Sequence, residues 1–267
     1  MLTFPNIDPV ALQIGPLAIR WYALSYIAGV ILGWRYAASL ARRFQIGITP
    51  EHITDFISWL VIGILLGGRI GYVLFYNLDY FILHPADALM IWHGGMSFHG
   101  GLLGVIAAAF LFCHTHKLRF FALTDIIACV APIGLFFGRL ANFINGELYG
   151  RASDDAWAMV FPRGGDAPRH PSQLYEAALE GLLIMVILGF LARKTSLHIR
   201  EKFLSGMFLI LYGLFRSFCE FFREPDVQLG FLAGGTTMGQ LLCIPMIAFG
   251  VWLVWKSNPI QTSAPNT

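Results

Sequence analysis

Seven stretches of roughly 20 residues, the length an α-helix needs to cross about 30 Å of hydrocarbon, run through this sequence with an apolar majority in each. They fall at Trp21–Leu40, Phe56–Tyr76, Ser97–Cys113, Phe121–Ile144, Gln173–Ala192, Phe203–Phe222 and Met238–Trp255. Nothing else in the chain limits the fold so strongly, because backbone inside a bilayer must satisfy its own hydrogen bonds. Composition agrees: 13% of the 267 residues are charged, against about 25% in a soluble domain, too few to coat a water-facing surface. A net charge of +2 supplies no field to gather a polyanion, so nucleic acid is not an expected partner and the lipid bilayer is. The expectation is an all-α polytopic membrane protein with seven transmembrane helices.

Loop charge orients such a chain, since Lys and Arg accumulate on the cytoplasmic side. One set of loops holds Arg42, Arg43, Lys117, Arg119, Arg193, Lys194, Arg200, Lys202 and Lys256. The opposite set holds Arg20, Arg151, Arg163, Arg169 and Arg223. The richer set predicts a cytoplasmic C-terminus and an N-terminus outside. No basic residue precedes Arg20, so the charged leader of a cleaved secretory signal is missing and the first span is expected to be retained. Residues 146–172, rich in Gly, Pro and charge, are too polar to span and read as a small outer head. Residues 1–256 are expected to form a single integral membrane domain, with 257–267 a disordered cytoplasmic tail. Cys113, Cys129, Cys219 and Cys243 all lie in or at the end of apolar spans and are expected to be buried thiols without disulfides.

The four basic residues left inside spans are all arginines: Arg35, Arg69, Arg139 and Arg216. Each costs about 2.5–3.5 kcal/mol at the bilayer centre, so each needs a reason. Arg35 lies near the inner end of its helix and can snorkel. The other three fall in the outer halves of their helices and are expected to converge on one polar pocket. Arg216 is flanked at four-residue spacing by Tyr212 and Glu220, which places the three on one helix face; a self-neutralising ion pair is the alternative. Arg139 is followed by Asn142, Asn145 and Glu147, for which capping of the helix end is the alternative. The recurrence of Arg rather than Lys suits a planar fork for phosphate, and the common anion at that depth is a lipid phosphodiester. Gly67 and Gly71, like Gly100 and Gly104, have the small-xxx-small spacing of close helix packing. His99 lies among these glycines at the outer start of a span, where an imidazole can take a proton near neutral pH. His114 and His116 are two apart and so do not share a helix face; no metal or other cofactor is expected.

Placed side by side, these runs resemble the bacterial prolipoprotein diacylglyceryl transferases. The runs are Arg20–Trp21–Tyr22, LGGRIGYVLFYN (66–77), GGMSFHGG (94–101), GRLANFINGELYGR (138–151), RHPSQLYEA (169–177) and YGLFRSFCEFFREPD (212–226). They follow the family's order across residues 4–256. The resemblance implies a multi-pass protein of the bacterial inner membrane with a periplasmic head. It implies transfer of the diacylglyceryl group of phosphatidylglycerol to the lipobox cysteine of a preprolipoprotein signal peptide, the first step of lipoprotein maturation. Glycerol phosphate leaves and a thioether forms. By the same resemblance His99, Arg139 and Arg216 are candidate catalytic residues. Tyr22, Arg69, Arg139, Asn142, Asn145, Glu147, Gly150, Tyr212 and Glu220 are candidate substrate-binding residues. A transporter would need internal pseudo-symmetry, and an intramembrane serine protease a GxSG nucleophile context; neither is present. A phospholipase differs only in using water as the acceptor.

Overall fold

The structure, a computed structural model, describes residues 2–5, 7–225 and 230–259. Its helices are α1 (Trp21–Phe44), α2 (Pro50–Tyr76), α3 (Leu78–Leu83), α4 (Phe98–Thr115), α5 (Phe120–Ile144), α6 (Ser172–Glu176), α7 (Ile184–Lys194), α8 (Phe203–Cys219) and α9 (Met238–Trp255). A π-helical segment, Ala177–Leu183, joins α6 to α7, so Ser172–Lys194 runs on as one 23-residue span. All seven apolar stretches are therefore helical. Among the described residues, five helices are long and apolar enough to cross a membrane: α2, α4, α5, Ser172–Lys194 and α9. Helix α8 has 17 residues, and α1 has the length, at 24 residues, but is not among those five.

The all-α expectation is corrected to mostly helical. Before α1 comes an antiparallel hairpin of β1 (Val10–Ile14) and β2 (Leu17–Arg20). Its two-residue loop is Gly15–Pro16, with Gly15 at φ +57°, the sign needed at the first position of a type II′ turn; Pro fits the second. A second pair joins β3 (Arg200–Glu201) to β4 (Asn258–Pro259). Ser257 is buried, so the tail expected to be disordered from 257 is ordered through 259; residues 260–267 lie outside the described residues.

The chain divides into two compact units, residues 38–124 and residues 1–37 with 125–267. In the first, a Thr49/His52 capping box and Pro50 start α2, as helix N-termini favour. The glycine pairs act as their spacing predicts. A Cβ at Gly63 would lie 2.7 Å from the Gly104 carbonyl oxygen, and one at Gly71 would lie 2.7 Å from Gly100 Cα, so α2 and α4 pack with backbones nearly touching.

In the second unit α8 packs on α9, where a Cβ at Gly206 would lie 2.7 Å from the Gly250 carbonyl oxygen. Residues 146–172 are ordered around Phe143, Met159 and Phe161, with Phe4, Tyr149 and Leu174 packed against them. Asp125, in α5, is buried and accepts the backbone N–H groups of Lys202 (2.8 Å) and Ser205 (2.7 Å) and the Ser205 hydroxyl (2.7 Å). A carboxylate from a distant helix thus caps α8, satisfying donors that the first turn of a helix leaves open. The four cysteines are free and buried.

Candidate active site

Arg139 and Arg216 come together in the second unit, on acids that α6 and the π-helical segment supply. Arg139 Nε lies 2.7 Å from Glu176 Oε2 and its Nη2 lies 3.6 Å from Glu180 Oε2. Arg216 Nη1 lies 3.2 Å from Glu176 Oε2 and 3.7 Å from Glu180 Oε1. The four-residue pair with Glu220 that the spacing allows is also formed. Arg223, just beyond α8, turns back to Glu176 Oε1 at 3.4 Å. Thr237 caps α9 with its hydroxyl and donates the same hydroxyl to Glu220 Oε2 at 2.6 Å. Both Glu176 and Glu180 are fully buried, so the cluster is a desolvated lattice of three guanidinium and three carboxylate groups. Buried arginines of this kind are tolerable only when paired. A small cavity opens beside them, lined by Arg216, Glu220, Arg223, Gly230, Thr237, Met238 and Gly239.

The backbone shapes this cluster at two close approaches. A Cβ at Gly181 would lie 2.7 Å from Phe136 Cα, so the π-helical segment lies directly against α5 and its acids reach Arg139. A Cβ at Gly239 would lie 2.7 Å from the Glu220 carboxyl.

Beyond Arg139 the signature run closes its own helix. Gly146, at φ +63°, donates its N–H to the Phe143 carbonyl (2.9 Å), and Glu147 donates to the Asn142 carbonyl (3.0 Å). This is the Schellman pattern at a helix C-terminus. The Asn142 and Asn145 amides both donate to Glu147 Oε1, at 2.9 and 3.3 Å. These three candidates therefore meet one another, and the expected capping alternative is present in the geometry. Gly150 bridges to Arg223 by backbone pairing, and Arg151 donates to the Arg223 and Glu220 carbonyls, both at 2.8 Å. The 146–172 segment thereby anchors the end of α8, which carries half the cluster. Tyr212 stacks on Phe208 (5.8 Å between ring centroids) one turn before Arg216. Tyr22 accepts from the Tyr26 hydroxyl at 3.4 Å.

Arg69 and His99 belong to the other unit. Arg69 is buried, and its five N–H groups all go to backbone carbonyls: Ala88, Gly94, Gly95, Asp87 and Met90, at 2.6–3.3 Å. The donors that the expected substrate-binding role calls on are all engaged by the protein's own backbone. Arg69 thereby ties residues 87–95 to α2. Within the same segment Tyr80 donates to Asp87 Oδ2 at 2.6 Å, and the carboxylate holds the phenol above its ordinary pKa. Ser97 then caps α4, leaving His99 exposed in the first turn, its ring 5.6 Å from Phe98.

The sequence profile of the prolipoprotein diacylglyceryl transferase family matches residues 9–256. The chain belongs to this family. A protein from Azospirillum brasilense is 59% identical over 96% of this chain and 97% of its own. Proteins from Rhodospirillum centenum and Rickettsia felis are each 53% identical, over 98% and 97% of this chain and 97% and 100% of theirs. All three are named phosphatidylglycerol–prolipoprotein diacylglyceryl transferase. The chain is a mostly helical multi-pass membrane protein of this bacterial family.

In this transferase the sequence analysis missed Glu176, Glu180, Arg223 and Thr237 as members of the cluster. Glu176 and Glu180 carry a signal, since two acids four residues apart inside an apolar span are as costly as the arginines and share one helix face. Counting buried charges of both signs finds them. Arg223 follows the apolar run and reads as a loop residue, and Thr237 reads as an ordinary cap.

Proposed function

We propose that this chain transfers the diacylglyceryl group of phosphatidylglycerol to the lipobox cysteine thiol of a preprolipoprotein. The S–C bond forms at the glyceryl carbon next to the phosphate, the C–O bond to phosphate breaks, and glycerol phosphate leaves. The observation that carries this is the meeting of Arg139 and Arg216 on one buried cluster beside a polar cavity, in a chain of this family. Negative charge develops on the leaving phosphate oxygen, and planar guanidinium forks already desolvated by the protein are suited to stabilise it.

A thiol with pKa about 8.5 is only a few per cent thiolate at neutral pH, so a base accelerates attack; exposed His99 is that base. Tyr22, Asn142, Asn145, Glu147, Gly150, Tyr212 and Glu220 orient the headgroup or hold the arginines. The chain crosses the bacterial inner membrane seven times, with its N-terminus and the 146–172 head on the periplasmic side and its C-terminus cytoplasmic. Phosphatidylglycerol and a lipobox signal peptide are its substrates.

The test is transfer by the purified protein, with phosphatidylglycerol and a lipobox peptide as substrates. Arg139→Ala is expected to abolish thioether formation while the protein stays folded, and turnover near normal overturns the phosphate role. His99→Gln is expected to lose the rise of rate with pH that deprotonation of the base produces; an unchanged pH–rate profile removes His99 as base.

A further inference from the structure

The three carboxylates of the cluster are not held alike. Glu176 receives Arg139 at 2.7 Å, Arg216 at 3.2 Å and Arg223 at 3.4 Å. Glu220 receives Arg216 and the Thr237 hydroxyl, the latter at 2.6 Å. Glu180 is fully buried, yet neither of its carboxylate oxygens accepts a hydrogen bond among the described residues. Its nearest cationic nitrogens stand at 3.6 and 3.7 Å, on Arg139 and Arg216. Buried carboxylates are ordinarily fixed by hydrogen bonds to the charged form. Without them, Glu180 is the carboxylate here that most readily accepts a proton. It also sits within a π-helical segment, a geometry found often at functional sites.

The charged and titratable groups facing Glu180 are Arg139 of α5, Glu176 of its own span, Tyr212, Arg216 and Cys219 of α8, Arg223, and Cys243 of α9. With Arg139, Arg216, Arg223, Glu176, Glu180 and Glu220 all ionised, the cluster is electrically balanced. A phosphodiester arriving at Arg139 and Arg216 adds one negative charge to a desolvated site, which is unfavourable unless a compensating charge enters or leaves. We infer that Glu180 takes up one proton when a lipid phosphodiester binds at Arg139 and Arg216. The proton comes from solvent and forms an O–H bond on the carboxylate, and no bond of the lipid changes in this step. Neutral Glu180 no longer competes for Arg139 Nη2 and Arg216 Nη1, whose charge is then available to the phosphate, while Glu176 and Glu220 keep their own contacts. Glu180 thus acts as a positioning residue, setting the charge and aim of the arginines. The inference rests on phosphate binding at those arginines as proposed above.

The experiment is calorimetric titration of the full-length protein, in a maltoside detergent, with short-chain phosphatidylglycerol. Buffers of different ionisation enthalpy report the protons exchanged. The expected result is uptake of about one proton per lipid bound. Affinity is then expected to fall about tenfold per pH unit while the free protein's Glu180 is ionised. Glu180→Gln, permanently neutral, is expected to bind without proton uptake and without that pH dependence, and Glu180→Asp to restore both. Binding by the native protein without proton uptake overturns the inference. So does a linkage that persists in Glu180→Gln. Where Glu180→Gln fails to fold, the native stoichiometry and Glu180→Asp decide. Phosphatidylglycerol binding as tightly to Arg139→Ala and Arg216→Ala as to the native protein overturns the phosphate site itself, and this inference with it. Proton stoichiometry and arginine dependence are separate readouts, so the two failures are distinguishable.

Discussion

Arginine serves two unlike purposes in this chain, and the partners of each guanidinium tell them apart. Arg69 spends all five N–H groups on carbonyls of residues 87–95, whereas Arg139 and Arg216 bind carboxylates beside a cavity. Lysine keeps the charge but presents a point donor rather than a planar fork. Arg69→Lys is therefore expected to leave two or more partly buried carbonyls without a donor and to destabilise the fold by about 2 kcal/mol, at roughly 1 kcal/mol per group. Thermal unfolding in detergent, with limited proteolysis of residues 84–96, checks this; unchanged stability and protection contradict it. In the sequence all three residues look the same, an Arg in an apolar run. Depth marks a charge as meaningful, but its partner lies 18 to 26 residues away for Arg69 and 37 to 41 for the Arg139 acids. One sequence does not encode that distance. The local pairs are legible because helical spacing dictates them: Arg216 with Glu220, and the Asn142, Asn145 and Glu147 closure.

Elements place the cluster through contacts that leave no room for a side chain and through one carboxylate that caps another helix. Gly181→Val puts a branched side chain where a Cβ already meets Phe136 at 2.7 Å, so the π-helical segment has to move off α5. A shift near 1 Å in a catalytic array lowers rate about a hundredfold, and loss of turnover on that scale in a folded protein is the expected outcome of a transfer assay. Asp125→Ala strips the cap from α8, leaving the N–H groups of Lys202 and Ser205 and the Ser205 hydroxyl without their acceptor. Destabilisation of about 2–3 kcal/mol is expected for those unsatisfied buried groups, measured as earlier chemical or thermal unfolding, with smaller loss in Asp125→Asn. Helix existence is the most legible level of this fold, since all seven apolar stretches are helices. The Gly63, Gly67 and Gly71 packing on Gly100 and Gly104 is legible from spacing alone. The β1–β2 hairpin lies outside the apolar runs and shows itself only through Gly15–Pro16, a two-residue signal easily passed over in a search for spans.

At the scale of the whole molecule, the proposed orientation concerns which faces of the bilayer the loops occupy, and loop charge supports it. Nine basic residues lie in one set of loops and five in the other, which places the richer set in the cytoplasm. The proposed orientation has residues 146–172 in the periplasm and the loop after α1 in the cytoplasm. The native cysteines suit a direct test, because all four are buried and give little background with a thiol reagent. Asp154→Cys, in the head, is expected to react with a membrane-impermeant maleimide on intact spheroplasts. Gln45→Cys, after α1, is expected to react only once the membrane is permeabilised. The reverse pattern inverts the proposed topology. Equal reactivity of both sites before permeabilisation would give an even number of crossings between them and overturn the seven-span arrangement.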